Sequence, residues 1–427
     1  MMTAAFLLLI LFLLLLIGVP VAISLGFASI TTMMLFGNQS LLSLAQKFFH
    51  TMQVYPLLAV PFFILAGAFM TTGGVAKRMI DFANAIVGHY RGGLAMAALL
   101  ASAFFAAVSG SAPATVVAVG SVMIVGMINS GYSKSFSAGV ICNAGTLGIL
   151  IPPSLVMVVY GAITESSIGK LFIAGIVPGI VMTIAMMATI MVIAKQQNLP
   201  RQPKAELGEV LKSFKEASWG LMLIVIILGG IYAGLFTPTE AAAVSAVYSF
   251  FIAVFVYKDI GFKQVPTVLL DAAKITVMLM FIIANAFMFA FVLTTLQIPQ
   301  MASEFIVGMG LPVWGFLLVL NLLLLVAGNF MEPTSVVLIL TPIVFPIAVE
   351  MGIDPIHLGV LMVVNMQIGL VTPPVGLNLF VTAGVAKMSL EDTIRASLPW
   401  LGVLLFVLML ITYIPWFSLV LPNLLGL

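Results

Sequence analysis

The sequence predicts an all-α polytopic membrane protein built of two inverted-topology repeats, each with a re-entrant helical hairpin and a helix broken at a Pro-Pro pair. Three observations predict it. Of 427 residues, 63% are hydrophobic and 7% charged, against about 25% charged in a soluble domain, so most of the surface faces lipid. Pro152-Pro153 and Pro373-Pro374 each lie inside a long apolar stretch, 221 positions apart. Short segments recur at nearly the same shift. Gly148–Pro153 answers Gly369–Pro374, Pro113-Ala114-Thr115-Val116-Val117 answers Pro333-Thr334-Ser335-Val336-Val337, and Ala68-Phe69-Met70 answers Ala286-Phe287-Met288. A duplicated membrane chain with helix breaks at matching points is the layout of a secondary transporter.

A bilayer crossing takes about 20 apolar residues. That measure places helices near 3–17, 20–36, 56–72, 136–163, 168–194, 217–236, 238–257, 275–295, 358–386 and 396–424. Met1 to Phe36 carries no Lys or Arg, so it lacks the basic start of a signal peptide and reads as retained membrane helix. Residues 92–127 and 312–347 are too long for one crossing and lack a polar loop for two. Small or breaking residues sit mid-way in each: Ser109-Gly110-Ser111-Ala112-Pro113 and Gly328-Asn329-Phe330-Met331-Glu332-Pro333. Such segments go part-way in, turn and return, which backbone tolerates only inside protein or beside a water-filled cavity. The division that follows is 1–194 for the first repeat, 195–216 for a cytoplasmic linker and 217–427 for the second repeat.

Charge placement sets the orientation. With each hairpin counted as no crossing, every Lys and Arg except Lys47 and Lys170 falls on one face, which the positive-inside rule makes cytoplasmic. Both termini and Glu165, Glu240, Glu304, Glu350 and Asp354 then fall outside. Five crossings per half invert the halves, and the two hairpin tips meet near the midplane.

A tip leaves backbone groups without helical partners, and its carbonyls and hydroxyls suit a hard cation such as sodium. Ser109, Gly110, Ser111 and Thr115 supply such groups in the first half, and Asn329, Thr334 and Ser335 in the second. The alternative is a kinked helix whose Ser and Thr bond their own backbone. Each Pro-Pro pair frees the carbonyls before it. Asn143, Gly145 and Thr146 precede Pro152-Pro153; Asn365, Gln367, Gly369 and Thr372 precede Pro373-Pro374. A tip facing a break makes a cage of oxygens in each half, hence an expectation of two sodium sites with the substrate between them. A kinked scaffold helix is the plainer reading of the same prolines. Glu332, the one acidic residue at a tip, either balances a cation or caps the returning half-helix. An anionic substrate would be held by amides, hydroxyls and backbone NH groups, drawn from Thr115, Asn285, Thr334, Ser335, Asn365 and Asn378.

Other features have plain readings. Cys142 is the only cysteine, so no internal disulfide forms. Thr237-Pro238-Thr239-Glu240 reads as a capping box opening a helix. Trp219, Trp314, Trp400 and Trp416 fall near helix ends, as an aromatic belt would. His50, His89 and His357 fall in loops. No phosphate-binding Gly-Lys loop is present and no nucleophile has a base nearby, so neither ATP hydrolysis nor an intramembrane enzyme is expected.

Over essentially its whole length the chain resembles the large membrane subunit of tripartite ATP-independent periplasmic (TRAP) transporters. The Ser109–Thr115 tip, Gly148–Pro153, Phe236–Ala241, Gly328–Pro333 and Gly369–Pro374 carry the resemblance. It implies a bacterial inner-membrane permease of the elevator type, similar to the wider ion-transporter superfamily. It implies two partners besides the lipid bilayer: a small four-helix membrane subunit, expected as a separate chain, and a periplasmic substrate-binding protein. No nucleic acid and no organic cofactor are implied. The cargo would be an organic acid, a C4-dicarboxylate or a sialic or other sugar acid, driven by Na+. The first Na+ is then assigned to Ser109, Gly110, Ser111, Asn143 and Gly148, and the second to Gly328, Asn329, Glu332, Gly369 and Thr372. The rival readings are a free-standing ion-coupled anion symporter or exchanger, and a channel.

Overall fold

The computed structural model describes residues 2–37, 40–308 and 310–426, and every regular element among them is helical. Helices α1 (Met2–Leu16) and α2 (Val21–Phe36) are followed by α3 (Leu41–Thr51), a 3-10 turn at Tyr55–Leu58, α4 (Ala59–Thr72) and α5 (Val75–Val87). The first hairpin pairs α6 (Gly93–Ser109) with α7 (Ala112–Asn129). The helix expected over 136–163 is α8 (Lys134–Ala144), a 3-10 turn at Gly145–Ile149 and α9 (Leu155–Thr164), followed by α10 (Ile168–Gln196). Then come α11 (Leu207–Ile224), running through a π turn at Val225–Gly229 into α12 (Gly230–Tyr232), and α13 (Pro238–Phe251), which ends in a second π turn. The long α14 (Val265–Thr295) leads to α15 (Ile298–Gly308), the second hairpin α16 (Val313–Phe330) and α17 (Pro333–Glu350), and α18 (Pro355–Gly369). The chain closes with α19 (Leu377–Ala386), α20 (Leu390–Tyr413) and α21 (Trp416–Leu424).

Three elements went unforeseen because a search for long apolar runs does not register short amphipathic helices. Helices α3, α5 and α15 hold 11, 13 and 11 residues, too few to span a bilayer. Lys77 and Arg78, expected in a loop, lie on α5. There Arg78 meets Asp259 at 2.6 Å, and its guanidinium lies 3.8 Å from the centre of the Tyr257 ring. The expected linker 195–216 is helical at both ends: α10 continues to Gln196 and α11 begins at Leu207. Polar side chains start many of the helices as the sequence would have it. Ser111, Ser133, Ser154, Ser167 and Ser389 each cap a first turn. The capping box at α13 is complete: Glu240 Oε2 accepts from Thr237 N at 2.7 Å, and Thr237 Oγ1 accepts from Glu240 N at 3.3 Å.

Elements recur along the chain. Helices α6 to α10 begin at residues 93, 112, 134, 155 and 168; α16 to α20 begin at 313, 333, 355, 377 and 390. Contacts are exchanged between the two sets. Helix α7 packs on α19 and α17 on α9, while α2 packs on α14 and α4 on α13. Both Pro-Pro bonds are cis.

Two expectations change. Trp400 lies in the interior rather than at a membrane surface, because its helix begins six residues earlier than the apolar run suggests. It is 2% exposed and packs edge-on against Phe136. His50 lies on α3 and His357 on α18, the latter buried.

Candidate functional site

The first hairpin closes onto the first break through backbone. Gly110 turns the chain in the left-handed region (φ 61°) that glycine adopts without a Cβ penalty. Ser111 then caps α7, its Oγ accepting from Ala114 N. The hydroxyls fold back on the tip: Thr115 Oγ1 lies 2.9 Å from the Ser111 carbonyl and 3.1 Å from Ser109 Oγ. A Cβ on Gly148 would stand 2.6 Å from the Ser111 carbonyl oxygen, and one on Gly110 would stand 3.2 Å from that of Pro153. Tip and break therefore touch with no side chain between them. Gly110→Ala adds left-handed strain of about 1–2 kcal/mol beside that contact. Its expected result is a lower melting temperature and a several-fold slower uptake of labelled substrate into proteoliposomes.

The second hairpin makes the same closure and locks it with a side chain. A Cβ on Gly369 would lie 2.7, 2.8 and 2.9 Å from the C, Cα and O atoms of Gly328. Asn329 Nδ2 donates to the Pro373 carbonyl at 2.8 Å, and its Oδ1 accepts from Val375 N at 3.0 Å and Gly376 N at 3.1 Å. Thr372, half-buried, donates from Oγ1 to Ile368 O at 2.8 Å.

Glu332 faces outward and works on its own helix. Its carboxylate accepts from Thr334 Oγ1 at 2.7 Å, Ser335 N at 3.1 Å and Ser335 Oγ at 3.3 Å, so it caps α17 and holds both hydroxyls expected to meet the substrate. Glu332→Ala is expected to cost about 1 kcal/mol of stability, as lost caps do, read as a lower melting temperature.

Below the tips the broken helices carry amides in matching positions. Asn143 Nδ2 donates to Gly139 O at 2.9 Å and Ser397 Oγ at 2.8 Å. Asn365 Nδ2 donates to Leu361 O at 2.9 Å and Asn321 Oδ1 at 2.8 Å. The second set continues: Asn321 Nδ2 reaches Thr412 Oγ1 at 2.9 Å, and His357 Nε2 faces the Thr412 carbonyl at 3.3 Å. A carbonyl only accepts, so Nε2 carries the proton. Asn321→Leu strands a donor at Asn365 and an acceptor at Thr412; a buried unpaired group costs about 1–3 kcal/mol, so a clear fall in melting temperature is expected.

The amide oxygens of Asn143, Asn365 and Asn378 and the hydroxyl of Thr382 are buried without a hydrogen-bond partner among the described residues. Helix α19 brings Asn378 to the first break, where its Nδ2 lies 3.4 Å from the Cys142 carbonyl. Neutral oxygens left unsatisfied in a dry interior are costly unless a ligand takes them, and a desolvated sodium ion is coordinated by such groups. Oxygens of this type suit sodium. Asn285 is not gathered here: it packs on α2 at Gly26, with Nδ2 donating to Phe281 O at 2.8 Å.

Away from the clasps, a cleft of about 590 Å3 opens between α3, the start of α13 and α14 on one side and the end of α9 on the other. A second cavity of about 320 Å3 adjoins it and reaches α17. Lys47 and Glu165 line both. Sequence reasoning missed Lys47 although it left a signal, being one of two basic residues off the basic face. Asn321 and His357 left less: a single amide in an apolar arm and a histidine expected in a loop.

A family model described as "Tripartite ATP-independent periplasmic transporter, DctM component" matches residues 8–417. The chain is similar to the C4-dicarboxylate TRAP transporter large permease protein DctM of Pseudomonas aeruginosa, at 62% identity over 94% of each chain. It is similar at 56% identity to the protein of the same description from Vibrio cholerae, over 96% of this chain and 95% of that one. Among solved structures it resembles the Alcanivorax borkumensis YdaH transporter with a TM-score of 0.60, covering 88% of this chain and 87% of that one. At 14% identity that likeness concerns the fold alone.

Proposed function

Because the chain belongs to the DctM family of tripartite ATP-independent periplasmic transporters, a family of large permeases rather than enzymes, we propose that it imports a C4-dicarboxylate or related organic acid by coupling it to sodium. A periplasmic binding protein delivers the acid, and a small membrane subunit completes the permease in the bacterial inner membrane. Basic loops face the cytoplasm and both termini face the periplasm. The observation that carries this reading is the duplicated clasp: a hairpin tip seated backbone-to-backbone on a Pro-Pro break, once in each half. The exchanged contacts α7–α19 and α17–α9 support reading the halves as inverted repeats, with tips and breaks near the membrane centre. The identity to named C4-dicarboxylate permeases favours a four-carbon diacid over a sugar acid.

In this mechanism one sodium is held by carbonyls of the first tip and break and by Asn143, the other by carbonyls around Gly328 and Gly369 with Thr372. Sodium supplies positive charge where no Lys or Arg among the described residues is buried, so the substrate carboxylate is attracted only when the cation is present. Helices α6 to α9 and α16 to α19 move together, as an elevator, against α2, α4, α13 and α14. The test is uptake of labelled succinate into proteoliposomes, with and without sodium, binding protein and small subunit. Uptake that needs all three is expected. Uptake by this chain alone would make it a free-standing symporter, and sodium-independent uptake would remove the coupling.

A further inference from the structure

We propose that the paired cavities at Lys47 are a receiving site for the substrate's carboxylate, occupied before the acid reaches the hairpin tips; this rests on the import reading above. Three observations meet there. The cleft is concave and large enough for a small organic acid, at about 590 Å3 with an adjoining 320 Å3. Lys47 lines both parts, yet its ammonium has no salt bridge or hydrogen bond among the described residues. Hydroxyl-bearing side chains stand around it, with Thr51, Tyr55, Ser166, Ser167 and Thr237 lining the same cleft.

Charge placement supports the same occupant. An ammonium half-buried in a protein cleft attracts anions more strongly than one in open water, because the low-dielectric protein around it focuses its field. Glu165 lines both cavities too, without pairing to Lys47. It repels a second carboxylate, so a diacid enters with one end toward Lys47 and the other directed away from Glu165. The cleft also spans elements the transport reading separates: α13 and α14 on one wall, α9 and α17 on the other. An acid bound there lies on the boundary that the moving helices cross.

The chain's one cysteine, Cys142, is fully buried, so a thiol placed at position 47 is the accessible one. The full three-part system in proteoliposomes is assayed with labelled succinate for wild type, Lys47→Arg, Lys47→Gln and Lys47→Cys. Uptake at sub-saturating succinate is expected to fall about tenfold in Lys47→Gln and Lys47→Cys and to stay within about twofold in Lys47→Arg. A cationic aminoethyl thiosulfonate reagent should restore Lys47→Cys, an anionic sulfonatoethyl one should not, and succinate should slow labelling of that thiol. Wild-type rates in Lys47→Gln, or equal effects of the two reagents, would overturn the site. So would a loss that tracks weaker attachment of the binding protein, measured by co-sedimentation, since Lys47 would then contact the partner. Absence of succinate uptake in the wild type would instead overturn the import reading; protection of the thiol by succinate is read separately from it.

Discussion

Gly369→Ala is expected to lower substrate uptake at least tenfold in a protein that still inserts and assembles. The added methyl would fall 2.7 to 2.9 Å from three backbone atoms of Gly328, and backbone has no rotamer through which to retreat. Overpacking of this kind costs about 1–3 kcal/mol, and each 1.36 kcal/mol is worth about tenfold in a rate if it falls on the transport step. The strain is confined to the seat of the second tip on the second break, so the expected loss is in coupling rather than assembly. Gly148→Ala, whose methyl would meet the Ser111 carbonyl oxygen at 2.6 Å, should behave likewise in the first half. Gly384→Ala is the control, because nothing lies within 4 Å of its position on α19; alanine there is the better helix former. Matching uptake in Gly369→Ala and Gly384→Ala would show that the close seating of the tip is not used in transport.

Asn329→Ala should cost more, with uptake reduced on the order of a hundredfold. One side chain serves the Pro373 carbonyl and the amides of Val375 and Gly376. Truncation leaves these groups short of partners, at about 1–3 kcal/mol for each that stays buried; the Gly376 amide also faces the Asn329 carbonyl at 3.2 Å, which softens the total. Asn329→Asp keeps the two acceptor roles but sets a carboxylate against the Pro373 carbonyl, so an intermediate loss is expected. If Asn329 holds the break in shape for sodium, half-saturating sodium rises in both variants. A fall in maximal rate at unchanged sodium dependence would confine its role to fastening the hairpin.

The helix breaks and hairpins were legible in the sequence because their cause is local. Proline removes a donor and glycine opens a region of backbone space wherever they occur, so Pro152, Pro153, Pro373, Pro374 and Gly110 mark their own positions. The tips were therefore placed to within a few residues: the turn expected at Ser109-Gly110-Ser111 lies between α6 and α7, and that at Gly328–Pro333 between α16 and α17. The membrane class was legible because hydropathy needs only composition. Short amphipathic helices were not, since α3 and α5 owe their stability to what they pack against rather than to a long apolar run.

Partnership was the harder matter. Sequence proposed Asn285 beside Asn365 and Asn378 as one group of amides; in the fold Asn285 packs on α2, while Asn378 crosses to the other half and reaches Cys142. It left Glu332 between two roles, and the cap became visible only with Thr334 and Ser335 folded onto the carboxylate. It placed Lys47 on a face but not in a cleft. The sequence alone determined an all-helical, membrane-embedded chain with two tips and two breaks, because these follow from residue type and spacing. The tertiary structure decided which tip meets which break, which oxygens stay without partners and where a lone ammonium faces a cavity. Those are properties of residues tens to hundreds of positions apart, and only packing brings them within hydrogen-bond reach.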